Sequence, residues 1–113
     1  MHEDKEDVMA STPESRVVDR IRTAILRKYP DAFVVKIAGG GYQSAGLPDL
    51  VVILRGRAIG LEVKAQRSGE SEDHARGRAT LRQQAVLQQM RRAGAIAEVV
   101  LGPEEVMTIL ETV

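Results

Sequence analysis

The sequence predicts an α/β domain, a mixed central sheet flanked by helices. Three observations carry that prediction. Residues 13–28 and 80–93 repeat apolar side chains at helical spacing. Four short apolar runs have the length and β-branched content of strands. The elements follow in the order α-β-β-β-α-β-α with no internal repeat or linker, so residues 11–113 are expected to form one domain.

Each element has its own signals. Residues 1–10 are read as a disordered acidic tail. In Ser11-Thr12-Pro13-Glu14-Ser15, Ser11 or Thr12 can cap a helix, Pro13 suits its first turn, and Glu14 suits its positive end. Val17, Val18, Ile21, Ala24 and Ile25 form its apolar stripe, and Pro30 ends it. A strand over 32–37 follows, then a glycine-rich loop, then strands over 49–54 and 58–64. Residues 65–79 are polar, rich in Gly, Ser and charge, and aperiodic; they are read as a mobile loop. In the second helix, Gln83, Val86, Leu87, Met90 and Ala93 share a face, and Gly94 stops it. Residues 95–101 are a strand, and a last helix starts at Pro103 with Val106, Ile109 and Leu110 inward.

Composition narrows the function. Apolar residues are 43% and charged residues 28%, an ordinary globular balance. No apolar run reaches the length of a membrane span, so no membrane partner is expected. The opening Met-His-Glu-Asp-Lys-Glu-Asp is unlike a signal peptide. Zero cysteines exclude disulfides, thiolate metal sites and a cysteine nucleophile, and suit a reducing cytoplasm. The net charge is zero, but residues 1–7 hold four acids and one base; the remainder has 15 bases and 12 acids, a net of +3. Most of the bases are arginine, which suits bidentate contact with phosphate.

The chemistry concentrates between Gly46 and Lys64. Asp49 opens one strand; Glu62 and Lys64 close the next, on one face because alternate strand residues share a face. A two-residue turn at Gly56-Arg57, of type II′, pairs Arg55 with Ala58 and sets Asp49 opposite Lys64, on that same face. A three-residue turn would send Asp49 to the other side. Two close carboxylates repel, and a divalent cation with hard oxygen ligands relieves the repulsion. Asp49, Glu62 and the intervening Val63 carbonyl can supply those oxygens, and Lys64 beside them can activate water or neutralise a phosphorane. Glu14 and Gln83, at the starts of the two apolar helix stripes, can reach the same strand ends.

Gly46-Leu47-Pro48-Asp49, then Glu62-Val63-Lys64, then Gln83 eleven residues before Gly94 resemble the PD-(D/E)XK nuclease superfamily, and within it the VRR-NUC (virus-type replication-repair nuclease) domain. The resemblance runs from Glu14 to about Leu101. It implies a restriction-endonuclease-like core. Asp49 and Glu62 are then metal ligands, Lys64 is catalytic, Glu14 is a helix carboxylate near the metal, and Gln83 orients the site. It further implies Mg²⁺ or Mn²⁺ as cofactor, DNA as substrate in replication, repair or recombination, and a bacterial or phage-infected cell. Single-domain viral relatives resemble homodimeric resolvases of four-way junctions, so branched DNA and a homodimer are expected. The apolar residues of 99–113 exceed the needs of one buried face, a second reason to expect a dimer. Lys36, Tyr42, Arg76, Arg78 and Arg82 are the candidates for DNA contact.

Plainer readings exist for each feature. Glu-x-Lys alone usually marks a salt bridge at a strand end; the combination with Gly-x-Pro-Asp, Glu14 and Gln83 favours a metal site. Residues 38–43 are read as a plain loop rather than a phosphate cradle, because no helix follows. His74 is read as a solvated residue without a partner. The rivals to a nuclease are a catalytically silent DNA-binding module of the same fold and a small-molecule phosphoesterase. The silent module would lack Asp49, Glu62 or Lys64, and all three are present.

Overall fold

Helix α1 (Pro13–Lys28) begins at a reciprocal cap: the Thr12 hydroxyl accepts from the Ser15 N–H at 3.0 Å, and Ser15 Oγ accepts from the Thr12 N–H at 2.8 Å. Such a cap stabilises a helix by about 1 kcal/mol. The computed structural model describes residues 11–37 and 46–113. The acidic tail and the glycine-rich loop up to Ala45 lie outside those residues. After α1 come strands β1 (Phe33–Lys36), β2 (Leu50–Leu54) and β3 (Arg57–Val63). Helices α2 (Glu72–Arg76) and α3 (Leu81–Arg92) lead to strand β4 (Ile96–Val100) and helix α4 (Pro103–Leu110). The sheet order is β1-β2-β3-β4, antiparallel except for the parallel β3–β4 pair. The expected α/β class, with a mixed sheet between helices, is the observed one.

Alternation along the strands divides the sheet into two faces. Leu50, Val52 and Leu54 of β2 and Ile59, Leu61 and Val63 of β3 join Val17, Val18, Ile21 and Ile25 of α1 and Val106 and Leu110 of α4 in one buried core. On the opposite face α3 covers β3 and β4, with Leu87 buried and Met90 against Gly60. Glu62 belongs to this second face, in phase with Gly60. The β1–β2 half of that face leaves Phe33 (61% exposed), Val35 and Ile53 uncovered among the described residues. Among the described residues no helix is long and apolar enough to cross a membrane.

Four expectations are corrected. The β2–β3 turn is Arg55-Gly56, with φ of 51° and 76°, and Leu54 pairs with Arg57; the expected turn was Gly56-Arg57. Two positive φ values are the type I′ pattern. Arg55 is held there by its Nη1 donating to the Val113 carbonyl at 3.1 Å and by its guanidinium 5.9 Å from the Tyr29 ring centre. Arg57 is anchored by its Nε donating to the Gly94 carbonyl at 3.1 Å. Each shift is one residue, so the pairing moves by two and no side chain changes face.

The segment 65–79 contains helix α2, which opens where the Ser71 hydroxyl accepts from the His74 N–H. Arg76 ties it down: Nη1 donates to the Val99 carbonyl at 3.0 Å and to Glu105 Oε2 at 2.6 Å. His74 has a partner, with Nδ1 lying 2.6 Å from Glu70 Oε2. The apolar residues of α4 also differ from expectation. Val106 and Leu110 are buried, and Met107, Ile109 and Val113 pack on the core, so this segment is used within the monomer. Small differences at strand ends, such as β3 starting at Arg57, follow from the turn.

Candidate active site

Gly46-Leu47-Pro48-Asp49 leads the chain into β2 under tight geometric demands. Gly46 has φ +92°, and a Cβ there would lie 2.9 Å from Arg82 Cγ, the Arg82 carbonyl oxygen and Val86 Cγ2. Only glycine lets this loop press on α3 without strain. Pro48 is buried and has no N–H to donate. Asp49 bonds to both neighbouring strands. Its carbonyl accepts from the Ile37 N–H at 2.8 Å, and its Oδ2 accepts from the Val63 N–H at 2.8 Å.

The Leu50–Leu61 pair, extended by one step, sets Asp49 opposite Glu62. Glu62 is only 2% exposed. Its Oε2 lies 3.4 Å from Lys64 Nζ, while its Oε1 is buried with no hydrogen-bond partner. Lys64 is itself buried, and its backbone N–H donates to the Val100 carbonyl at 3.0 Å, which fixes the end of β3 against β4. A buried carboxylate oxygen without a partner costs about 1–3 kcal/mol or more.

The electrostatics show the strain. Burial, and then the Asp49 charge, push the Glu62 carboxyl up to about 7, against the favourable pull of Lys64. Asp49 is also raised, first by burial and also by Glu14, although its bond from the Val63 N–H and the Lys64 charge oppose the rise. In metal-free protein the two carboxyls resist ionising together.

The remaining expected residues are placed as follows. Glu14, half-buried at the start of α1, has Oε2 3.4 Å from Arg78 Nη1 and acts electrostatically on Asp49. Gln83 is half-buried and turns back on its own helix: its Oε1 accepts from the Thr80 N–H at 2.9 Å, completing the α3 cap. Lys36 pairs with Asp19 at 3.1 Å on the surface. Tyr42 lies outside the described residues. Arg76 is held by Glu105, Glu72 and the Val99 carbonyl. Arg78 donates Nε and Nη2 to Glu70 at 2.9 and 3.1 Å and also bonds the Ala65 carbonyl and Glu14. Arg82 is exposed beside Gly46. The structure thus brings Asp49, Glu62 and Lys64 together with Glu14 nearby, and engages Gln83, Arg76 and Arg78 in internal bonds.

Two residues were missed by sequence reasoning. Glu70 organises the loop by receiving Arg78, the Arg67 N–H and His74. Arg67 lies beside Glu14 on a shared cavity wall, and its guanidinium has no partner among the described residues. Neither had a local signal beyond charge in a polar segment.

The site fits a hard divalent cation. The orphaned Glu62 Oε1, the Asp49 carboxylate and the adjoining Val63 carbonyl are an all-oxygen donor set. Among the described residues no group of three or more His, Cys, Asp and Glu side chains could hold a metal. Two carboxylates, with water and substrate phosphate completing the shell, are the usual manner of holding Mg²⁺.

No protein-family model matches this sequence, and no curated protein matches it significantly. A solved structure described as a VRR_NUC domain does match. It has a TM-score of 0.56 and 29% sequence identity, and the match covers 89% of this chain and 97% of that one. The family resemblance read from the sequence therefore has a counterpart in three dimensions: over most of its length the chain is similar to a VRR_NUC domain, which suggests a nuclease-type α/β domain.

Proposed function

We propose that the protein is a metal-dependent DNA endonuclease, selective for branched structures such as four-way junctions. The observation that carries this reading is the trio of half-buried Asp49 with buried Glu62 and Lys64 on one sheet face, with the Glu62 Oε1 left unpartnered. Asp49, Glu62 and the Val63 carbonyl would hold Mg²⁺ or Mn²⁺. When bound, the ion supplies a Lewis acid for phosphate oxygens and lowers the pKa of a bound water. The reaction adds water to phosphorus and breaks one P–O ester bond, leaving a phosphomonoester end and a hydroxyl end.

The residues of the chain do the rest. The Val63 N–H holds the Asp49 carboxylate in place, so little reorganisation is needed during reaction. The Lys64 ammonium, held by Glu62, stabilises negative charge developing on the phosphoryl oxygens. Glu14 adds a second-rank carboxylate beside Asp49. Gln83 orients the site from the start of α3 by way of its cap on Thr80.

Incubation with linear, single-stranded, flapped and four-way DNA, with and without Mg²⁺, tests the reading. Cleavage strongest on the junction and lost in EDTA is expected. Cleavage that persists in excess EDTA refutes the metal mechanism; DNA binding without any cleavage supports the silent module. A homodimer belongs to the same reading, since two incisions need two sites. Light scattering at micromolar concentration should give twice the 12.4 kDa chain mass. A monomer that cuts junction and duplex equally would remove the resolvase role and leave a simple nuclease.

A further inference from the structure

A cavity of about 560 Å³ opens between the start of α1 and the chain leaving β3. Its walls include Pro13, Glu14, Ala65, Gln66, Arg67 and Arg78. Ala65 directly follows Lys64, so the cavity begins where the trio ends. The volume lies within the roughly 300–1,000 Å³ of sites that take small organic molecules, enough for one nucleotide.

The charges on its wall are not equivalent. Arg78 is neutralised by Glu70 and by Glu14, and its Nη2 also donates to the Ala65 carbonyl. Glu14 is thereby paired as well. Arg67 differs: its backbone N–H donates to Glu70 Oε1 at 2.9 Å, which fixes the main chain, while its guanidinium has no partner among the described residues. Glu14, Glu70 and Arg78 together carry a net charge of −1, which the Arg67 cation offsets; Arg67 is the wall guanidinium with no bond to the protein among the described residues, on an anchored backbone next to polar Gln66 and Ser68 and apolar Pro13 and Ala65. The unengaged Arg67 guanidinium can bond a phosphate oxygen, and the cavity beside it has room for the organic body attached to that phosphate.

We propose that this cavity is a subsite for the nucleotide adjacent to the scissile phosphate, with the Arg67 guanidinium bound to that nucleotide's phosphate. The proposal rests on the nuclease reading and deepens it. It moves the phosphate contact from Arg76 and Arg78, whose guanidinium groups bind the protein itself, to Arg67.

The test measures DNA binding in Ca²⁺, on a junction carrying a neutral methylphosphonate at one position at a time around the cut site. For the wild type, one position flanking the cut should weaken binding. Arg67→Ala should bind the unmodified junction several-fold more weakly, lose sensitivity at that position alone, and lower the slope of log K against log salt by about 1. Arg67→Lys should restore most of the slope. Ser68→Trp, which fills the cavity, should weaken DNA binding, with Mn²⁺ affinity and melting temperature unchanged in both Arg67→Ala and Ser68→Trp. If Arg67→Ala keeps wild-type affinity, slope and methylphosphonate pattern while the wild type still cuts DNA, the subsite is overturned and the nuclease reading stands. If the wild type neither binds nor cuts DNA, the nuclease reading falls, and this subsite with it.

Discussion

The Asp49 carboxylate accepts a hydrogen bond from the Val63 backbone N–H at 2.8 Å, so a metal-ligand candidate on one strand is positioned by the residue between Glu62 and Lys64 on the next. The side chain continues the β2–β3 contact one step beyond the Leu50–Leu61 pair. This single bond separates the structural role of Asp49 from its chemical one. Asp49→Asn keeps an acceptor for Val63 and removes the charge; Asp49→Ala removes both. Both should abolish cleavage and weaken Mn²⁺ binding. Asp49→Ala should be less stable than Asp49→Asn by about 1–2 kcal/mol in urea unfolding. Cleavage near the wild-type rate in either variant would remove Asp49 from the site.

Glu62→Gln separates function from stability in the opposite sense. Burial and the neighbouring Asp49 charge push the Glu62 carboxyl up to about 7 from the ordinary 4.5. The folded state thus holds a proton that the unfolded chain releases. In metal-free protein this group's contribution to stability falls as the pH rises from 4.5 to about 7. Glu62→Gln lacks that loss and should be the more stable form at pH 8 in EDTA, on the order of 2 kcal/mol, while cleaving nothing. Urea unfolding at pH 5 and pH 8 checks this; equal pH slopes for the two proteins would contradict it.

Lys64→Met keeps most of the aliphatic stem and removes the ammonium. It should cut cleavage roughly 10²–10³-fold and retain DNA binding. Mn²⁺ affinity should be retained, because the oxygen ligands remain. Isothermal titration with Mn²⁺ beside a single-turnover assay gives both readings, and undiminished cleavage would exclude a catalytic Lys64.

Glu70 predicts the acid limb of stability. Hydrogen bonds from Arg78 first, then from the Arg67 N–H and His74, lower its carboxyl to about 2 from 4.5. Its contribution is full above pH 4.5 and is lost as the pH falls towards 2. Glu70→Gln should flatten the acid side of a stability profile in that window and loosen residues 65–79, seen as faster amide exchange. An unchanged acid profile would show that the network around Arg78 contributes no stability.

Gly46→Ala tests the entry to β2. A Cβ at φ +92° and 2.9 Å from three α3 atoms must displace the loop or the helix. A loss of about 1–3 kcal/mol is expected, with reduced cleavage because Asp49 lies three residues on. Wild-type stability and activity together would show that the loop tolerates a side chain.

The common face of Asp49, Glu62 and Lys64 was determined by sequence alone. Strand side chains alternate with period two, and either two-residue turn around Gly56 preserves the phase. The cap of the first helix, Gly94 as a helix stop and the inward stripe of Val17, Val18, Ile21 and Ile25 were legible for a similar reason, since capping and periodicity are local. The tertiary structure alone decided which two-residue turn forms, because Arg55 is held by Val113 and Tyr29, far away in the chain. It also decided that residues 65–79 carry a helix, and which of that segment's three arginines has a guanidinium without a partner among the described residues. Arg76 and Arg78 meet Glu105 and Glu14 only after β4, α4 and α1 have packed, whereas Arg67 meets no acid with its guanidinium among the described residues. Pairing between charges distant in sequence depends on where the sheet and helices place them, and nothing in the local pattern of a polar segment encodes that.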